Sequence, residues 1–243
     1  MTEERASRLG LFDPARPLTA IMLAFCACYV DVICVLGLFH TFTAFVTGTL
    51  VVLCTEIFTL PEDAKLKLVV LATFFAATLG WYQLIVRLKA AGHLRLAPLL
   101  VLEAALLAVF LLVTVLAGPL EHPLALATIA AVMISTLAMS LQNVIMSELL
   151  NYHAPTTFMT GNTMRLIAGL VSGWLATEPA SPGEVADARA RAIQHAQVIL
   201  AFVGGGLMAG FGMMQAGFYA LLLPAGILLT MAAAQRPVSS GQG

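Results

Sequence analysis

Long runs of apolar residues, broken only briefly by charge or proline, constrain this chain more than any other feature. They lie near Leu18–Leu38, Phe42–Leu60, Leu68–Val86, Leu96–Ala117, Leu124–Met146, Thr157–Ala176, Ala196–Met214 and Phe218–Ala234. Several extend for about 18 residues or more with at most one charge, the length a helix needs to cross ~30 Å of hydrocarbon. Of the 243 residues, 60% are hydrophobic and 10% charged. A soluble domain carries roughly 25% charged residues, so this chain cannot cover a water-facing surface. The sequence therefore predicts an all-α integral membrane protein whose surroundings are the lipid bilayer. Continuous rather than alternating hydrophobicity argues against a β-barrel. A net charge of −1 gives no sign of a nucleic-acid partner.

The polar breaks set the expected organisation. "LPEDAK", "RLKAAGHLR" and "GPLEHP" follow the second, third and fourth runs, and "TEPASPGEVADARARA" after the sixth reads as a loop with a short surface helix. This divides one membrane domain into an N-terminal segment 1–17, a first repeat 18–117, a second repeat 124–234 containing the loop 177–195, and a tail 235–243. Arg5, Arg8 and Arg16 before an apolar run imitate a signal peptide. The run is longer than a signal core and no small-residue cleavage site closes it, so it reads as a retained helix. Cys26, Cys28, Cys34 and Cys54 all fall in apolar runs, where cysteine serves as a small packing residue. The histidines stand at or near the ends of runs in no metal-ligand spacing, and GxSxG, HExxH and phosphate-loop patterns are absent. The expectation is no metal, no cofactor and no enzymatic activity.

The order of the runs repeats. "YVDVICV" at Tyr29–Val35 aligns with "LQNVIMS" at Leu141–Ser147, which pairs Asp31 with Asn143. Each copy then reaches Thr-Gly, at Thr47-Gly48 in "FVTGTLVVL" and at Thr160-Gly161 in "FMTGNTMRL". A long helix with small residues four apart follows, Ala76 and Gly80 in one copy and Gly206 and Gly210 in the other, and one more apolar run closes each copy. "CYVDVICVLGLF" followed by "FVTGT", and "LAMSLQNVIMSEL" followed by "TTFMTGNTMRL", resemble the YoaK family over roughly residues 18–234. The resemblance implies a bacterial integral membrane protein with six crossings and brings no established substrate. Thr49 departs from the resembled pattern, which has asparagine after Thr-Gly.

Basic residues concentrate in cytoplasmic loops. Six crossings with the N-terminus inside place Arg5, Arg8, Arg16, Arg87, Lys89, Arg95, Arg189, Arg191 and Arg236 inside, and only Lys65 and Lys67 outside, nine against two. Eight crossings move Arg87, Lys89 and Arg95 outside and the two lysines inside, eight against three. Six crossings, with both Thr-Gly segments re-entrant, is the expected topology. The location is then a bacterial cytoplasmic membrane with both termini cytoplasmic. Three crossings per half makes the two repeats inverted.

Non-helical backbone survives at membrane depth only when buried in protein or lining a cavity. A segment that enters as loop and leaves as helix has unpaired N–H groups in its first turn. Those groups, with the positive end of the helix dipole, favour negative charge or a polar carbonyl. Thr47 and Thr160 read as N-caps, and Gly48 and Gly161 admit close approach. With Asn162, Arg165, Gln142 and Asn143 they form the expected substrate site. Packing is the alternative use of threonine and glycine in membranes. Asp31, mid-run, and Glu103, a turn or two into its run, are the candidates for proton coupling; Glu56, near the end of its run, reads as a surface residue. Arg165 has two compatible uses, a buried pair with Asp31 or a hold on an anionic group. The sequence favours a transporter for a small anionic, zwitterionic or polar neutral solute, with a passive channel for a small solute or ion as one alternative. The other is a sensor or assembly protein without transport. "GGGLMAGFG" at Gly204–Gly212 reads as helix packing, with a homodimer face as its other use.

Overall fold

The computed structural model describes residues 17–150, 159–175 and 181–235. Arg5, Arg8, Arg16 and Arg236, and Thr157 of the second Thr-Gly run, lie outside the described residues. The helices are α1 (Pro17–Gly37), α2 (Val46–Thr59), α3 (Pro61–Ala90), α4 (Leu96–Leu116), α5 (Leu126–Glu148), α6 (Met159–Leu170), α7 (Pro182–Ala216) and α8 (Leu222–Ala233). A π-helical turn, Val171–Leu175, extends α6, and a 3₁₀ segment, Gly217–Leu221, joins α7 to α8. No strand occurs among the described residues.

Helix ends follow local chemistry. In "LPEDAK", expected as a loop, Pro61 takes the first helical position and Glu62 and Asp63 fill the first turn of α3, while Arg87 and Lys89 occupy its last turn. Proline has no N–H to lose there, and both charge signs oppose the dipole end they sit on. Similarly, residues 182–195 of the expected polar loop are the first turns of the 35-residue α7. Ser181 accepts a hydrogen bond from the Glu184 N–H, and the Glu184 carboxylate accepts from the Ser181 N–H at 2.9 Å. This reciprocal cap satisfies two exposed donors and holds the Glu184 carboxyl below its ordinary value.

Five stretches are long and apolar enough to cross a membrane: Pro17–Gly37, Pro61–Ala90, Leu96–Leu116, Leu126–Glu148 and the 51-residue stretch Gly183–Ala233. The last contains α7, the 3₁₀ segment and α8, with Gly217 in the left-handed region (φ 56°) where α7 ends. α2 has 14 residues, about 21 Å at 1.5 Å per residue.

Packing is built on two close helix pairs. α1 lies along α7, and α3 along α5. On α7, a Cβ added at Gly205 would run into the Phe25 carbonyl of α1, one at Gly206 would lie 2.9 Å from Cys28 Sγ, and one at Gly212 2.9 Å from the Tyr29 hydroxyl. Residue numbers rise together along this contact, so α1 and α7 run parallel. Small residues let the backbones touch, which is how apolar helices gain dispersion energy where lipid is as oily as leucine. The α3–α5 pair uses a polar clasp instead. Trp81 Nε1 donates to the Leu137 carbonyl and to Ser140 Oγ, both at 3.1 Å, and the Tyr82 hydroxyl bonds Ser147 Oγ at 2.9 Å.

Between α1 and α5 the register reverses. Leu23 of α1 meets Gln142 of α5, and Cys34 meets Ser135. As numbers rise on one helix they fall on the other, so α1 and α5 are antiparallel. The remaining neighbours are α4 with α5 and α8, α2 with α3, α6 with α7, and α8 with α1. Buried leucine, alanine, isoleucine and methionine side chains from α1, α4, α5 and α8 fill one continuous core.

Gly205→Val is expected to force α1 from α7 and cost about 1–3 kcal/mol, the usual range for overpacking. Gly204→Val, at a glycine with open space around its Cβ position, is expected to stay within ~0.5 kcal/mol of the wild type. Thermal unfolding of the purified protein in detergent checks both.

Candidate functional site

α1 ends at Gly37, and the chain turns through Phe39 and His40, whose φ values of 52° and 55° are left-handed. A non-glycine residue pays roughly 1–3 kcal/mol for such a conformation, so the turn needs support. The chain then folds back beside α1. Asp31 lies six residues before the end of α1, about 9 Å along the axis. Its Oδ1 accepts the N–H groups of Thr43 and Ala44, each at 2.7 Å, and its Oδ2 that of Phe45 at 2.8 Å. These are the last amides before α2. The Thr43 hydroxyl adds a 3.4 Å bond to Oδ1 and lies 3.0 Å from Ser135 Oγ, which contacts Cys34 Sγ.

Thr49 closes the loop from the other side, with its hydroxyl donating to the Phe42 carbonyl at 2.5 Å and accepting the Phe42 N–H at 3.1 Å. Asn143 Nδ2 of α5 donates to the Ala44 carbonyl at 3.2 Å. Residue 44 is thus held on its N–H by Asp31 and on its C=O by Asn143, the two positions that the repeat aligns.

Lys67 supports the left-handed turn. Its ammonium donates to the Phe39 carbonyl and lies 2.8 Å from Glu56 Oε2. The sequence placed Lys67 in an outer loop and Glu56 at the surface; they are 0% and 5% exposed. The correction has a simple cause. α3 begins at Pro61, seven residues earlier than the apolar run, which carries Lys67 onto the face that packs on α2.

The first Thr-Gly tip therefore differs in detail from the expected anion site. Phe45, without a side-chain cap, occupies the cap position of α2, and Thr47 lies exposed inside the first turn. Gly48 admits aromatic rings: a Cβ there would lie 2.6 Å from the Phe45 ring and 3.0 Å from that of Phe42. Those two rings meet edge to face. The amides expected to receive a ligand already hold Asp31.

At the second tip, Thr160, Gly161 and Arg165 are exposed on α6, while Asn162 is fully buried. Asn162 Oδ1 lies 3.2 Å from His195 Nδ1 of α7, and Arg165 is near enough to His195 to act on it electrostatically. Among the described residues Arg165 forms no ion pair with Asp31, whose oxygens are taken by the loop amides. Below, Gly169 packs on Ala188 and Ala192, and the Gly173 carbonyl accepts Arg189 Nε at 2.7 Å. The structure thus gathers Thr160, Gly161, Asn162 and Arg165 with His195, and Asp31 and Asn143 with the first loop.

Gln142 and Glu103 lie elsewhere in the core. Gln142 Nε2 donates to the Leu23 carbonyl at 2.7 Å, and its Oε1 is buried without a donor. Glu103 is 0% exposed and neither of its oxygens has a hydrogen-bond partner among the described residues. Thr43, Thr49, Ser135, Lys67 and His195 are the participants that sequence reasoning missed. Only Thr49, by its place after Thr-Gly, carried a readable signal.

Residues 19–234 match the family described as "Protein of unknown function (DUF1275)". The chain belongs to that family. No curated protein and no solved structure matches it.

Asp31→Asn puts an amide donor against backbone donors and removes the charge from bonds worth about 1.5–3 kcal/mol each. The expected result is faster hydrogen exchange at the amides of residues 43–45 and a clear fall in thermal midpoint. Lys67→Met is expected to cost about 3–5 kcal/mol by stranding buried Glu56, and adding Glu56→Gln to restore a large part of that loss. Unfolding of the single and double variants reads this.

Proposed function

We propose that this member of an uncharacterised membrane-protein family carries a small solute across a bacterial cytoplasmic membrane. In this reading it crosses six times as two inverted repeats, with both termini cytoplasmic and with α2 and α6 as short re-entrant helices. The observation that carries the proposal is the antiparallel register of α1 and α5, the first helix of each half. If α3 and α4 each cross, α1 and α5 can oppose one another only when α2 does not cross. Eight crossings would make them parallel. At about 21 Å, α2 is also short of the ~30 Å hydrocarbon core.

The packing supports the same symmetry. Exchanging the halves turns the α1–α7 contact into α5–α3, α2–α3 into α6–α7, and α4–α5 into α8–α1, each of which occurs. The sixth crossing comes from dividing Gly183–Ala233 at Gly217, since 51 residues of straight helix would span more than twice the hydrocarbon.

Inverted repeats with short helices that begin inside the protein are a common plan of secondary transporters. The two tips are not equal partners. Asp31 fills the first with the chain's own carboxylate, whereas the second half has neutral Asn143 at the aligned position. The second tip also carries Arg165, exposed and suited to a planar anionic group. A solute bearing a carboxylate, anionic or zwitterionic, fits that difference best, with Thr160, Gly161 and Asn162 beside it.

Proteoliposomes holding the full chain would be screened with radiolabelled amino acids and small carboxylic acids. Saturable uptake of at least one is expected, with Arg165→Ala or Thr160→Val lowering it about tenfold, roughly 1.4 kcal/mol of binding. Flux that does not saturate would indicate a channel, and no flux of any of them would overturn the transport reading.

A further inference from the structure

Among the described residues the core contains three buried carboxyl groups, and two of them have charged or hydrogen-bonding partners. Asp31 is bound by three amides and a hydroxyl, and Glu56 by Lys67. Glu103 is different: it is 0% exposed and its two oxygens find no donor among the described residues. We infer that Glu103, and not Asp31, is the group that takes up and releases a proton inside this protein. For its purpose this rests on the transport reading above.

The geometry sets Glu103 among apolar side chains. It lies seven residues into α4, about 10 Å from the start of the helix, between buried Leu99, Leu100, Ala104 and Leu107. Cys26 of α1 lies within its electrostatic reach. One turn earlier on α1, the Leu23 carbonyl holds Gln142 of α5, whose own Oε1 is also buried without a donor among the described residues. No donor among the described residues reaches either oxygen of Glu103. An ionised carboxylate left there would pay several kcal/mol of desolvation with nothing to offset it. The neutral acid pays far less and brings an O–H donor with it.

Among the described residues the surroundings offer no competing charge. Cys26 is the titratable group that faces Glu103 from α1, with Asp31 more than a turn further along. Of the elements packed on α4, α5 carries only Glu148, at its far end, α8 carries no ionisable side chain, and the 3₁₀ segment carries exposed Tyr219. Protonating Asp31 would break the loop that forms the first tip. Protonating Glu103 breaks nothing. Releasing its proton requires water or a cation to reach it, so deprotonation and opening of the packing around Glu103 become one event. That linkage is what coupling to a proton gradient needs.

The test labels the full chain in liposomes with dicyclohexylcarbodiimide, an apolar reagent that converts a protonated carboxyl to a stable N-acylurea, and locates the adduct by peptide mass spectrometry. The expected adduct is on Glu103, weaker at about pH 9 than at about pH 6, with none on Asp31. Glu103→Gln should lose the adduct and keep the wild-type thermal midpoint. The wild-type labelling stands without that variant should it fail to fold. An adduct on Asp31, an unlabelled Glu103, or labelling of equal strength at both pH values would overturn the inference. No solute is involved, so a labelled Glu103 in a protein without flux would sink the transport reading alone. Saturable flux beside an unlabelled Glu103 would sink only the proton assignment.

Discussion

Three backbone amides on one buried carboxylate hold this structure's first half in register. A loop that turns back beside α1 would leave the N–H groups of Thr43, Ala44 and Phe45 unpaired in an apolar interior, and each such group costs free energy comparable to a lost hydrogen bond. Asp31 satisfies all three at 2.7–2.8 Å. The compensation is mutual, because the same amides replace the water that an ionised aspartate would otherwise lack. Once Asp31 is engaged, the start of α2, the hairpin into α3 and the left-handed turn at Phe39 and His40 all follow. Lys67 and Glu56 then hold the outer side of that turn.

The contact between α1 and α5 organises the two halves about one another. Its polar seam, Leu23–Gln142 at one end and Cys34–Ser135–Thr43 at the other, ties the first helix of each half in opposite directions. Asn143 completes the seam by taking the Ala44 carbonyl. The aligned pair Asp31 and Asn143 therefore meets on a single residue of the first loop. A substitution on one half is felt directly by the other, as expected where hydrogen bonds replace the hydrophobic drive that lipid cannot supply.

Most of the architecture was legible because the apolar runs are long and their ends carry recognisable chemistry. The Leu96–Ala117 run became Leu96–Leu116, and Thr-Gly marked a short helix in each half. The misreadings arose where charge was treated as a sign of solvent. Glu62 and Asp63 open a helix instead of a loop, and Lys67 and Glu56 neutralise one another in the interior. Composition registers a charge but not its partner, and the partner decides whether the charge is buried. The site was legible only in part for the same reason. Asp31 stood out as a mid-membrane carboxylate, yet nothing in its neighbours along the chain announced that residues 43–45 would return to it. His195 reaches Asn162 across 33 positions, a pairing that no local pattern encodes.

The comparison of Asp31 with Glu103 shows why burial alone does not identify a working acid. Both are carboxyls on core-packed helices, and both interrupt apolar runs. One has both oxygens held by fixed donors, so its charge belongs to the fold and altering it dismantles the loop. The other has none among the described residues, so its neutral form suits the fold as it stands and only its charged form needs rearrangement around it. Structural charge is over-determined, and functional charge is left under-determined until a proton, water or ligand completes it. By that criterion the first Thr-Gly tip is a finished piece of structure. The incomplete groups are Glu103 in the core and exposed Arg165 on α6, and under the proposed function a proton and a carboxylate would complement them.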